Sequence, residues 1–509
     1  MRCDLGQPGC QNCAKSGRVC SGYYRPHTFV LSKDVVLAPD DKSVTEFDSG
    51  LVLVSRWRAD PGQKDRAQAL FPRLLQHDTS IPKEVSPSHA YRDKLFELFL
   101  DHRFPAKDQP VPALEKRDWI LQVLELPTLT PGLTHAVLAV CTAHIGRRNN
   151  DNVLLKHSLP LYGQGLRDLQ RALCDPSWRD NEQTLAAISA LLLYELSECP
   201  GNTVDGYMSH YNGFMELLRL RGPKSCRSGL AHSLFLVLRL HTVFQGLVRR
   251  SASFLIEPSW IQNPWGSEKS HFDLLLDIVL ELPVLFVQSD AIAKIACPQE
   301  RLKKFLETIH KGQRMESLLT TWLARFEPSV NGPLYYPELK FTENASGGYR
   351  LSSIVFQFPA FFVAQNVVYY WLGLLIVHAH LCFMYNGLER LMDALASVMD
   401  TYACTCDSTS ENEPGGPAAC VRHFNLKMLP PLAHRRNWGK TTAYNICQSI
   451  DYFLQEDLRD FGTTTVIPAL AIVKTYWGLW PGDWTREISW AQHMLKDIMA
   501  RGSGIAGHL

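Results

Sequence analysis

Along most of the chain, hydrophobic residues return every three or four positions, the spacing that gathers them on one face of an α-helix. Tyr162, Leu166, Leu169 and Leu173 follow intervals of four, three and four. The Asp175-Pro176 pair predicts the stop, because a residue before proline is pushed out of the helical region. Asp180 and Gln183, three apart, predict a capping box that opens a helix over 185–196. Phe214, Leu217 and Leu218 stripe a further helix that ends at Gly222-Pro223. The stretches 230–248, 272–286, 302–326, 366–385 and 441–458 read the same way. Alternating, strand-like patterns are few, residues 52–57 being one, and no repeat of fixed period is present. The pattern predicts an all-α body.

One run needs a choice between two solvents. Residues 351–388 contain no Asp, Glu, Lys or Arg, and 367–385 has the length of a membrane span. Gln357, Pro359, Gln365, Asn366, His378 and His380 interrupt the run, and polar groups are costly in lipid. No basic cluster flanks it to set an orientation. The run is therefore expected to be a central buried helix, with no membrane as partner.

Composition agrees with a folded body. At 509 residues the chain exceeds what one hydrophobic core comfortably serves, so a small module plus a large body is expected. Hydrophobic residues make up 46% and charged residues 20%, the balance of a folded protein. The net charge of +1 gives the whole chain no electrostatic reason to hold nucleic acid, so any such contact must come from a local patch. Residues 26–85 are loop-like, with Pro39, Pro61, Gly62, Pro82 and Pro87 as breakers, and the Ser-, Thr-, Pro- and Gly-rich 407–419 reads as a surface loop. Residues 1–30 lack the apolar run of a secretory signal, so the 14 cysteines are expected as thiols or metal ligands.

Four of those cysteines crowd the N-terminus. Cys3, Cys10, Cys13 and Cys20 have the spacing C-x6-C-x2-C-x6-C. Four thiolates in so short a stretch, with a C-x2-C pair, are a zinc signature, since tetrahedral zinc takes sulfur ligands from tight turns. A segment of this size has no core, so coordination would supply its folding energy. Arg2, Lys15, Arg18 and Arg25 against Asp4 leave the first thirty residues at +3, a patch suited to DNA phosphate contacts.

The stretch RCDLGQPGCQNCAKSGRVCSGYYRPHTFV resembles the second half of the binuclear zinc cluster of fungal transcription factors, C-x2-C-x6-C, loop, C-x2-C-x6-8-C. Cys3 matches the family's third cysteine, and Cys10, Cys13 and Cys20 its fourth to sixth. Pro8 matches the loop proline and Gly22-Tyr23 the exit. The body is similar to the family's helical regulatory domain at 161–170, 191–195, 210–222 and 446–453, within a likeness that covers most of 88–480. The family's first two cysteines and most of its base-reading helix have no counterpart here, so the functional module is expected to extend upstream of Met1.

The resemblance implies three parts: a partial zinc cluster over 1–25, a linker over 26–85, and a helical fungal-specific transcription factor domain over 86–505. It implies a nuclear, zinc-dependent, sequence-specific DNA-binding regulator of genes read by RNA polymerase II, with zinc as cofactor and with DNA and transcription machinery or co-regulators as partners. Two alternatives stay open. One is a co-regulator without autonomous DNA binding; the other is a helical small-molecule binder or enzyme with a vestigial metal knot. No convincing heptad run follows the cluster, so a homodimer is open as well.

Other constellations carry less. Cys404, Cys406, Cys420 and His423 could ligate zinc by spacing, but chance clustering around a loop is the better reading. His378 and His380, two apart on a helix, face different ways and read as core histidines. Tyr476, Trp477, Trp480, Trp484 and Trp490 read as helix-packing core rather than an effector pocket. The sequence holds no H-E-x-x-H, G-x-S-x-G, P-loop or G-x-G-x-x-G, so no catalytic residue is assigned and a non-enzyme is expected.

Overall fold

The structure is a computed structural model that describes residues 87–104, 118–179, 181–200, 203–340, 350–396, 424, 426–431, 433–504 and 506. In chain order its helices are α1 (Pro87–Arg103), α2 (Trp119–Leu124), α3 (Pro131–Arg148), α4 (Asn152–Cys174), α5 (Glu182–Glu198), α6 (Asp205–Arg221), α7 (Gly229–Arg249) and α8 (Pro258–Gln262). These continue as α9 (His271–Val279), α10 (Leu282–Ile292) and α11 (Pro298–Phe326). A two-stranded antiparallel sheet, β1 (Tyr336–Leu339) and β2 (Ile354–Gln357), pairs Leu339 with Ile354 and Tyr336 with Gln357. Then come α12 (Phe361–Ala396), α13 (Ala433–Phe453), α14 (Arg459–Leu479) and α15 (Thr485–Ala500). The fold is all-α. The strand candidate at 52–57 lies outside the described residues.

The periodic stretches become helices, and the local chemistry sets their ends. Asp175 caps α4 in extended backbone, as the following proline requires. α6 ends where Gly222 turns to a φ of +80°, a conformation that costs glycine little, and Pro223 follows. The expected Asp180–Gln183 capping box is not what opens α5. The cap is Asn181, whose side chain accepts from the Gln183 amide. That start puts Gln183 at the second helical position, too early to reach back to the cap. Its side chain instead accepts from the Thr130 amide at 2.7 Å and donates to the Thr128 carbonyl at 3.0 Å. The stretch 272–286 is two helices rather than one. α9 ends at Val279, and α10 begins with Pro283 in its first turn, where a missing N–H costs nothing.

The described residues form two compact units, those within 87–101, 126–221 and 499–506 in one and those within 102–125 and 222–498 in the other. In the first, α3 packs on α4 and α5, and α5 packs on α6. Leu133, Ala136, Ala139, Leu185, Leu191, Phe214 and Leu217 fill the space between them. Burying each large side chain contributes roughly 1.5–3 kcal/mol.

In the second, α12 is the axial element, packed on α9, α10, α11, α13 and α14. At 36 residues it runs about 54 Å, using the helical rise of 1.5 Å per residue. Among the described residues two helices are long and apolar enough by composition to cross a membrane, residues 229–249 and 361–395. Most of the second, 83% of its apolar window, is buried inside the protein, as expected for a helix that is apolar on all faces. For the first the figure is 50%.

Candidate functional site

Cys3, Cys10, Cys13, Cys20, Arg2, Lys15, Arg18 and Arg25 lie outside the described residues, as do Cys404, Cys406, Cys420 and His423. Among the described residues no group of three or more His, Cys, Asp or Glu side chains is placed to hold a metal ion. The chemistry the described residues do carry is a set of buried polar clusters, each within one unit.

In the first unit, α4, α5 and α6 converge on Glu195. Its residue is 4% exposed, and its carboxylate accepts a hydrogen bond from the Tyr162 hydroxyl of α4. The same hydroxyl lies 3.1 Å from His210 Nε2 of α6. Tyr194 stacks on Tyr162 with ring centres 4.6 Å apart and shares a 2.8 Å hydrogen bond with Ser158. Burial pushes the Glu195 carboxyl above its ordinary range, outweighing the opposing hydrogen bond from Tyr162. Burial and the neighbouring Glu195 charge push the Tyr162 phenol up as well. A second cluster centres on buried Asp168, which meets His135 Nδ1 at 2.7 Å and accepts from Arg171 at 2.7 Å and Gln164 at 2.9 Å.

In the second unit, Arg239 sits on the apolar stripe of α7 and is 1% exposed. It donates to Asp273 at 3.3 Å, to Asp277, and to the Asp273 carbonyl at 3.0 Å. Lys269 reaches Asp277 at 2.5 Å, and Trp265 lies between both cations, 5.1 Å from the Arg239 guanidinium and 4.7 Å from the Lys269 ammonium. Two bases against two acids leave this cluster neutral, which is how a buried charge persists.

Deeper along α12, Glu316 of α11 binds His378 Nε2 at 3.0 Å and takes Arg435 of α13 through Nε and Nη2 at 3.0 and 2.9 Å. Burial raises this carboxyl, but the hydrogen bonds from His378 and Arg435 and the Arg435 charge outweigh it and hold it at about 2. His380 points elsewhere, its Nε2 donating to the Leu285 carbonyl at 3.2 Å. Burial lowers it to about 4, so it is neutral at pH 7. The two histidines therefore have separate hydrogen-bond partners, Glu316 and the Leu285 carbonyl.

The C-terminal aromatics pack as a ladder. Trp477 stacks on Trp484 at 4.5 Å and Tyr476 on Trp480 at 5.2 Å, with Trp477 and Trp490 buried. A small cleft lies among Arg350, Ser352, Tyr444, Cys447, Asp451 and Trp490, with the Arg350–Asp451 pair at 2.9 Å on its wall.

The Glu195 and Arg239 clusters share one stretch of sequence, and that stretch has relatives. Residues 91–278 match the fungal specific transcription factor domain. This part of the chain, under half of it, is thus similar to the helical domain of fungal transcription factors. An uncharacterized protein of Emericella nidulans is 31% identical over 125 residues, which are 25% of this chain and 26% of that protein. The chain thus covers about a quarter of that relative's length. No solved structure matches the chain.

Sequence reasoning passed over the buried ion clusters. Their signal was present: Arg239 stands alone within an apolar stripe, and Asp273 and Asp277 sit four apart in an otherwise apolar helix. A charge on such a face needs a partner of opposite sign.

Proposed function

We propose that this chain is a nuclear transcription regulator whose N-terminal cysteine knot holds zinc and meets DNA and whose helical body regulates activity and contacts transcription machinery or co-regulators. The observation that carries this reading is the match of residues 91–278 to the fungal specific transcription factor domain on an all-helical body. The spacing of Cys3, Cys10, Cys13 and Cys20 supports it independently, because it has a coordination rationale. Zinc would supply structure there, not catalysis: four thiolates complete one closed tetrahedral site with no open position. Arg2, Lys15, Arg18 and Arg25 would then lie beside the phosphate backbone and position the module without reading bases.

Two measurements test the reading. Chromatin immunoprecipitation of the tagged chain from its native nucleus should recover discrete promoters, and loss of the cysteines should abolish that recovery. If recovery persists without them, the chain reaches promoters through a partner, which is the co-regulator reading. Tethering residues 86–509 to a heterologous DNA-binding domain should change transcription of a reporter. Recovery of no promoter, together with an unresponsive reporter, would overturn both readings.

A further inference from the structure

The C-terminal ends of α3 and α5 meet in the first unit, and a short segment lies on them. Residues 499–506 belong to this unit, although most of α15, which leads into them, belongs to the other. A Cβ on Gly504 would lie 2.4 Å from the Ser197 carbonyl oxygen of α5 and 3.0 Å from its carbon, so no side chain can rest there. Two residues earlier, Gly502 takes a φ of +117°, and a Cβ on it would touch the Arg147 side chain of α3 at 4.0 Å. Ala506 is buried. We propose that the joined ends of α3 and α5 form a docking site for a glycine-spaced peptide segment, filled in this chain by residues 501–506 and able to take the same segment from a second copy.

The floor of the site is held by contacts that do not involve the segment. Arg147 Nε and Nη2 donate to the two Glu198 oxygens at 3.0 and 2.5 Å, which ties the last turn of α3 to the last turn of α5. Cys199 closes α5 on its own helix, its backbone N–H donating to the Glu195 carbonyl at 3.1 Å from a left-handed conformation. The Ser197 carbonyl is among the last four of a helix, which have no acceptor role within it, so it faces whatever lies beyond the helix end.

The segment fits this floor by shape. It folds into two turns, the Gly502 N–H donating to the Met499 carbonyl at 3.1 Å and the Ala506 N–H to the Ser503 carbonyl at 3.0 Å. Arg501 is exposed, and Gly502, Ser503 and Gly504 are half-buried. The contacts of Gly502 and Gly504 are made by backbone, which places the segment among the parts of a fold that open locally before the helices beneath them do. When it leaves, α3 and α5 keep their own packing and the same ends stand open to the same segment of another copy, the exchange that defines a domain swap.

The test uses the full chain with Gly504→Val and a fluorescent peptide of residues 499–509, followed by anisotropy. Valine at 504 runs into the Ser197 carbonyl, so the variant's own segment leaves the site. The native-sequence peptide should then bind the variant saturably. It should bind the native chain at least about tenfold more weakly, because a tethered segment competes at an effective concentration in the millimolar range. A peptide carrying Gly504→Val should bind neither chain. A native-sequence peptide that binds both chains alike, or neither, overturns the proposal. So does a Gly504→Val peptide that binds the variant as tightly as the native sequence does. If the Gly504→Val chain does not fold, a chain ended after Ala500 replaces it, and the same outcomes decide.

Discussion

A Cβ on Gly206 would lie 2.3 Å from the Glu195 Cδ and 2.4 Å from each of its carboxylate oxygens. Only glycine lets the first turn of α6 approach α5 this closely. Gly206→Ala must therefore move a buried side chain already held by Tyr162, or move α6 itself. Overpacking of this kind costs about 1–3 kcal/mol. Thermal melting should show that loss, and a melting temperature equal to the native one would mean that Glu195 relocates freely. The double variant Gly206→Ala with Glu195→Ala should recover part of the loss, because the clashing atoms are gone.

Glu316 anchors α11 to α12 and α13 through His378 and Arg435. Removing one partner of a buried pair leaves the other charge uncompensated, so Arg435→Met should destabilise the chain by about 3–5 kcal/mol. The pH dependence has a definite sign. The folded carboxyl sits at about 2, below its ordinary 4.5, so its contribution is present in full above 4.5 and is lost as pH falls through about 2. Denaturant melts of native and Glu316→Gln chains should differ at pH 7 and converge towards pH 2. A constant difference across that range would show that the carboxylate charge is not what holds the three helices.

These two sites also show what the sequence can and cannot display. Helix existence was legible because burial of one face writes a local period, as in Tyr162, Leu166, Leu169 and Leu173. Boundaries slipped where two residues competed for one role: Asn181 caps α5 although Asp180 has the same chemistry, and Pro283 divides a stretch whose apolar period is unbroken. The ion clusters were illegible as clusters because their members are far apart in sequence, 34 residues for Arg239 and Asp273 and 119 for Glu316 and Arg435. Glu195 and Gly206 look like ordinary helix residues until folding sets one against the other. The zinc site proposed at Cys3, Cys10, Cys13 and Cys20 is the opposite case, since the spacing that suggests it is wholly local.

α12 offers a sharp distinction between a buried helix and a membrane span. Its apolar window is mostly covered by the helices around it, and Glu316 and Arg435 pack charged groups beside its middle. In fractionated cells the chain should stay out of the membrane pellet, and any part that sediments should be released by alkaline carbonate. Retention after carbonate would show that the helix sits in lipid rather than inside the second unit.

The zinc site proposed for the N-terminal cysteines makes a quantitative prediction about both metal and DNA. Four thiolates complete one tetrahedral site, so a reduced peptide of residues 1–40 should bind about one zinc per chain, and Cys10→Ser or Cys13→Ser should lower its affinity steeply. The same stretch sets a ceiling on electrostatic binding. Arg2, Lys15, Arg18 and Arg25 supply at most four phosphate contacts, and each released counterion contributes about −0.9 to the slope of log affinity against log salt. The zinc-loaded chain should therefore bind duplex DNA with a slope no steeper than about −4. Substituting Arg18 should make the slope shallower by about one and weaken all sequences alike, since phosphate contacts position a protein without reading bases. A steeper slope, or discrimination between sequences that survives loss of all four basic residues, would place the DNA contact elsewhere on the chain. Absence of zinc from the reduced peptide would remove the knot itself and leave the helical body as the sole basis for a role in transcription.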